Sequence, residues 1–522
     1  MFQETSLTMS SSNVKEVFYM KKFGNMIALL LTALLIFSLA ACGSSTSADS
    51  KNTGNTAEQT EKAADSGDDT ENKESTMPGE PPEGSPDGTP PEGGPGGTPP
   101  DKPDGNGGPG GAPGGSSANI NYSGAEEITA GDSQSGRTYA SSTADESALL
   151  ISTSEEVSIT DPTVTKTGDS DGGDSCNFYG LNAAVLVKDG STTTITGGTI
   201  TSDADGANGV FSYGGNGGQN GAGGDGTTVI IRDTTIKTTG NGSGGIMTTG
   251  GGTTYAYDLD VTTGGQSSAA IRTDRGGGTV VVEGGSYTSN GLGSPAIYST
   301  ADITVSDTDL TSTLSEGVCI EGLNSVTLNN CNLTASNTKR NGNATFLDSI
   351  MIYQSMSGDA ANGTSHFTMT GGTLTSKSGH VFHVTNTNAV ITLEGVDIVN
   401  EDAQNILLSV CADGWSGGSN EATLKASAQK LAGAIKIGND STLTLDLKDG
   451  SAFNGSIDGN ITNAEGETVS TEVGTVSVTL DSTSTWTLTG DSYITEFNGD
   501  AGSVISNGFT LYVNGVALTG TK

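Results

Sequence analysis

Basic residues are scarce in this chain of 522: 22 Lys and Arg stand against 60 Asp and Glu, a formal net charge of −38. A surface of that sign repels phosphate backbones and anionic headgroups, which argues against nucleic acid and an anionic membrane face as partners. Aromatic residues make up only 5% of the chain, yet Val, Ile and Leu are frequent enough for a narrow, continuous core. Cysteine is sparse too. Cys176, Cys319, Cys331 and Cys411 have no spacing that reads as a disulfide framework or a metal knuckle, so packed free thiols are expected and any disulfide pairing stays open. Proline is almost confined to one stretch, with twelve of fourteen between Pro78 and Pro113. That composition excludes a packed core there and predicts an extended, acidic, Pro/Gly-rich stalk.

What the chain does contain is a repeat. Short motifs such as Thr196-Gly-Gly-Thr-Ile200, Tyr257-Asp-Leu-Asp-Val261 and Asn329-Asn-Cys-Asn-Leu333 close on an apolar residue at 200, 236, 261, 287, 310, 333, 374 and 398. Alternating β-type segments precede them, Gly, Asn and Asp mark the turns, and helical periodicity is absent. In most copies a second apolar residue follows ten positions later, at Val210, Ile246, Ile271, Ile297, Ile320, Val384 and Leu408. A period in the twenties built from strands and turns predicts an all-β solenoid, a right-handed parallel β-helix of about fourteen coils stacked at roughly 4.8 Å.

Residues 1–41 read as an export signal: Lys21-Lys22, a short apolar run from Met26 to Phe37, then small residues. Met20 looks like the initiator. Leu39-Ala-Ala-Cys42 resembles the bacterial lipobox, which implies acylation at Cys42 and makes an N-terminal lipid the visible attachment. Residues 42–118 are the lipidated start and stalk, 119–440 the main β-helix, and 441–522 its last coils and cap. The expected location is therefore the exposed face of a bacterial cell membrane.

Gly206-Ala-Asn-Gly-Val-Phe211, Ser294-Pro-Ala-Ile-Tyr298 and Ser315-Glu-Gly-Val-Cys-Ile-Glu-Gly322 resemble phrases of secreted β-helix proteins of the pectin-lyase-like superfamily, many of them adhesin-like, over roughly residues 145–410. The resemblance implies fold and location more than activity, since one fold hosts many functions. Polysaccharide lyases of that superfamily use acidic calcium ligands and a basic residue. Asp258, Arg272 and Asp274 are the positions here that such chemistry would draw on, with turn closure and pairing across coils as the plainer account.

Two Asp-x-Asp turns, at Asp169 and Asp171 and at Asp203 and Asp205, follow consecutive apolar sites and could stack to bind calcium, though no cofactor is required. His366, His380 and His383 are the only histidines; they are expected to face outward on different sides as solvated groups. The residue after each second apolar site reads Phe211, Met247, Arg272, Tyr298 and Glu321, which predicts one exposed strip along which a linear glycan would lie. Residues 214–226 and 338–363 should project as loops. The expected function is non-catalytic adhesion or binding of an extracellular polysaccharide or neighbouring cell surface. A lyase or hydrolase acting on acidic glycans, or a ligand-free spacer, are the alternatives.

Overall fold

Alternation of β-branched and small polar residues leaves one side of each strand apolar, and such strands bury that side only by stacking coil on coil. The computed structural model of the protein, which describes residues 120–216 and 223–522, has that architecture. The export signal, Cys42 and the stalk lie outside the described residues. A thirteen-stranded sheet runs from Gly124–Ile128 to Ile457–Asp458, a fourteen-stranded sheet from Asp132–Ser135 to Glu496–Asn498, and a ten-stranded sheet from Thr138–Ser141 to Asp397–Asn400. Each of the first ten coils gives one strand to each, in that order, and every pairing within the three is parallel. The chain is a parallel β-helix.

The eight closing residues of the repeat form one inward ladder of the third sheet. Ile200 pairs with Ile236, then Val261, Tyr287, Leu310, Leu333, Leu374 and Ile398. Three residues before each, at the corner between second and third sheets, the backbone is left-handed: Asp233 (φ 50°), Asp258 (φ 52°), Gly284 (φ 73°), Asp307 (φ 52°) and Asn330 (φ 54°). Only Gly, Asn and Asp adopt that conformation readily, which is why the motif always carries one of them there. Each of these amides donates to the last second-sheet carbonyl of the next coil, as Asp258 N–H does to the Glu283 carbonyl at 3.0 Å. Asp258 is thus a corner residue.

The second apolar site departs from its predicted register. Ile297 pairs with Val318 rather than Ile320, and Leu408 with Phe382 rather than Val384, because the corner after Leu310 and after Leu374 is two residues shorter. A two-residue shift keeps every side chain on its own face and changes only its ladder partner. Continuing the outward row from Tyr298 is therefore Cys319, not Glu321, and then Met351, His383 and Ser409.

Candidate functional site

The outward row of the first sheet does run Phe211, Met247, Arg272, Tyr298 in register. It is not an exposed strip. Phe211, Met247 and Glu321 are at most 1% exposed. The short helix Asp174–Tyr179 lies over the first two, placing Phe178 and Tyr179 in one apolar cluster with Leu186, Phe211 and Met247. It ends at Gly180 (φ 77°), where an added Cβ would stand 2.9 Å from the Phe211 ring, so only glycine lets the chain pass this close. The Phe178 carbonyl accepts from Thr249 Oγ1 at 2.7 Å, fastening the helix to the sheet.

A second cover begins beyond Tyr298. Cys319, Met351 and Tyr353 pack with Ala344 and Trp415, which belong to two separate inserted segments. Asp413 ties those segments together by accepting from the Thr345 amide (2.8 Å) and hydroxyl (2.7 Å). Between the covers is a recess of about 600 Å³. Arg272, Tyr298, Cys319 and Met351 form its floor, with Asn177 and Phe178 on one side and Trp415 on the other.

Its polar groups are held in place. Arg272 donates to Asp274 Oδ2 (2.8 Å), Asn177 Oδ1 (3.2 Å) and the Ser267 carbonyl (3.0 Å). Arg275 donates to Asp359 Oδ1 (2.7 Å) while its guanidinium stacks 4.2 Å over Phe178, joining the helix to the loop that carries Asp359. Tyr298 and Tyr353 both direct their hydroxyls to Glu321 Oε2, at 2.7 and 3.2 Å, and Ser355 bonds its other oxygen. Burial raises the Glu321 carboxyl, opposed by those hydroxyls. Asp274 is pushed up to about 7 by burial, with Arg272 pulling the other way.

Of the residues expected to act, Arg272, Asp274 and Tyr298 are brought together in the recess, and Phe211 and Met247 are buried beside it. Glu321 braces it from behind. Asp258 sits at another corner, apart from Arg272 and Asp274. The Asp-x-Asp turns do stack, but as rungs: Asp169 Oδ1 accepts from the Asp205 amide (2.9 Å) and Asp205 Oδ1 from the Asn241 amide (2.7 Å). Asp203 accepts from Thr239, and Asp171 is exposed. Among the described residues no three His, Cys, Asp or Glu side chains are grouped to hold a metal.

The histidines correct the expectation of solvated groups. His366 is exposed, but His380 and His383 are buried, and both present Nδ1 to Ser409 Oγ, at 2.7 and 2.8 Å. Phe346 stacks on His383 with ring centroids 4.5 Å apart, so facing outward from the sheet does not mean facing water. His383 Nε2 lies 3.4 Å from Asp413 Oδ2. All four described cysteines are free and buried.

Phe178, Tyr353, Asp359 and Trp415 were not foreseen in the site. Phe178, Asp359 and Trp415 stand on inserted segments without periodicity, where the sequence signal was a long gap between repeats rather than any residue, and Tyr353 ends a first-sheet strand beside them. Residues 338–363 do not form one loop: the strand Asp348–Tyr353 runs through them. No protein-family model, curated protein or solved structure matches this chain.

Proposed function

We propose that this is an exported, lipid-anchored surface protein that binds saccharide, without cleaving it, in the recess over Arg272 and Tyr298. One observation carries the reading: aromatic rings and immobilised hydrogen-bonding groups converge on a single cavity of about 600 Å³, the size and chemistry of a small-ligand site. Sugar rings offer apolar faces to aromatic side chains and hydroxyls to fixed donors and acceptors. Similarity of its phrases to adhesin-like pectin-lyase-superfamily proteins supports the same class, as do the signal-like start and the lipobox-like Cys42.

The experiment is equilibrium binding of the purified protein to soluble oligosaccharides, followed by emission of Trp415, which is half-buried at the cavity, with release of reducing and unsaturated ends measured in parallel. A saturable emission change without products is the expected result. Hydrolysis is the second reading, favoured by Asp274, whose carboxyl near 7 is where a general acid works; reducing-end release abolished by Asp274→Asn would establish it. Calcium-dependent lyase chemistry has less support, because Arg272 is committed to three partners and the Asp169 and Asp205 carboxylates to backbone amides. If no saccharide binds, the β-helix is a spacer.

A further inference from the structure

The chemistry of the recess narrows the ligand further, and this step rests on the saccharide reading above. Four carboxyl side chains line it, Asp174, Asp274, Glu316 and Asp359, against the single guanidinium of Arg272. That cation is spent on Asp274, Asn177 and Ser267, and Arg275 outside the lining is spent on Asp359. Among the described residues neither Asp174 nor Glu316 forms an ion pair, so the recess is net negative after every internal pairing is counted. An acidic sugar would meet like charge here.

Rings complete the enclosure. Tyr353 and Trp415 lie 4.8 Å apart at 50°, and Tyr298 and Tyr353 are pinned through their hydroxyls to Glu321, which fixes both rings before any ligand arrives. Aromatic faces around a negative recess favour an ammonium group, by ring quadrupole and by Coulomb attraction together. We propose that the recess selects an amine-bearing saccharide, such as the glucosamine units of a de-N-acetylated glycan, over its N-acetylated or uronic counterpart. Glu316, 7% exposed and bonded by Ser315, is the carboxylate placed to meet the amine, and Trp415 the ring that covers it.

The test is calorimetric titration of the full chain with glucosamine oligomers, their N-acetylated forms and glucuronate oligomers, at low and high salt. The expected result is about tenfold tighter binding of the free amine, a preference that shrinks with salt as ammonium attraction is screened. Glu316→Gln should remove that preference while leaving residual binding of the neutral sugar, and Trp415→Ala should weaken both. A circular dichroism spectrum matching the parent's certifies that Glu316→Gln and Trp415→Ala are folded. Equal binding of amine and N-acetyl forms overturns the charge argument and leaves saccharide binding intact. Equal binding of tetramethylammonium keeps the cation argument but overturns the sugar. Failure of every probe overturns both.

Discussion

Replacing Asp274 by Asn sets two forces against each other at the residue that most controls the charge of the recess. The Asp274 side chain is 4% exposed and Arg272 lies 2.8 Å away. Loss of water disfavours the carboxylate, the guanidinium favours it, and burial wins, carrying the group from the ordinary 3.8 to about 7. The folded protein therefore holds this proton more tightly than the unfolded chain. Its contribution is favourable below about pH 4, declines as pH rises toward 7 and is constant above. At roughly 1.4 kcal/mol per pH unit the decline amounts to at most about 4 kcal/mol. Asn imitates the protonated acid and has nothing to lose, so Asp274→Asn should match the parent at pH 4 and exceed it by a few kcal/mol at pH 8. Urea denaturation followed by circular dichroism at pH 4, 6 and 8 measures the difference, and the difference cancels all other titrations. A variant less stable than the parent at pH 8, by an amount that grows with pH, would show that the Arg272 pairing outweighs burial and refute the reasoning.

Four further outcomes are expected. At the corner between second and third sheets, Gly395→Ala should cost about 1 kcal/mol for its left-handed backbone alone, since nothing lies within 4 Å of the new Cβ. Gly285→Ala should cost several times more, because its Cβ would stand 2.2 Å from the Leu259 carbonyl oxygen of the preceding coil; urea denaturation compares the two. Burial lowers His380 to about 3, so its stabilising neutrality is present above 6.5 and is progressively lost as pH falls through that window. Proton NMR should accordingly find the His380 imidazole unchanged from pH 8 to pH 5. A thiol reagent should modify none of Cys176, Cys319, Cys331 and Cys411 in the native protein within minutes, and all four after denaturation. Cys42→Ala should abolish incorporation of labelled fatty acid and release the protein from the membrane fraction.

Repetition is what made the fold readable. Asp, Asn or Gly at the left-handed corner and an apolar residue three positions later recur in all eight copies of the motif, because each coil must solve the same turn and fill the same column. Arg272, Asp274 and Tyr298 occupy repeat positions, and their meeting on one face follows from the same regularity. The register of Glu321 was misread because one corner lost two residues, a change that leaves the alternation of faces untouched. Exposure was misread for a different reason. Phe211 and His383 do point away from the β-helix core, but Gly180 and Phe346 come down on them from segments whose covering role no periodicity announces.

Those covers also constrain how a polymer can be held. The floor of the recess spans the rungs of Arg272, Tyr298, Cys319 and Met351, three inter-coil steps or roughly 14 Å, and is closed along the stacking direction by Phe178 on one side and Trp415 on the other. A glycan lying along the coils, as an exposed strip would allow, meets the helix Asp174–Tyr179. A bound chain must instead cross the coils or enter by its end. Affinity should then climb with oligomer length only until the recess is filled and stay level beyond it, whereas a strip would add a comparable increment for every further unit. Titration with a series of one to about six units of the preferred sugar distinguishes the two, on the ground that units outside the recess leave no additional surface buried. A steady gain through the longest member would place the ligand on an open face of another sheet and remove the recess from the function.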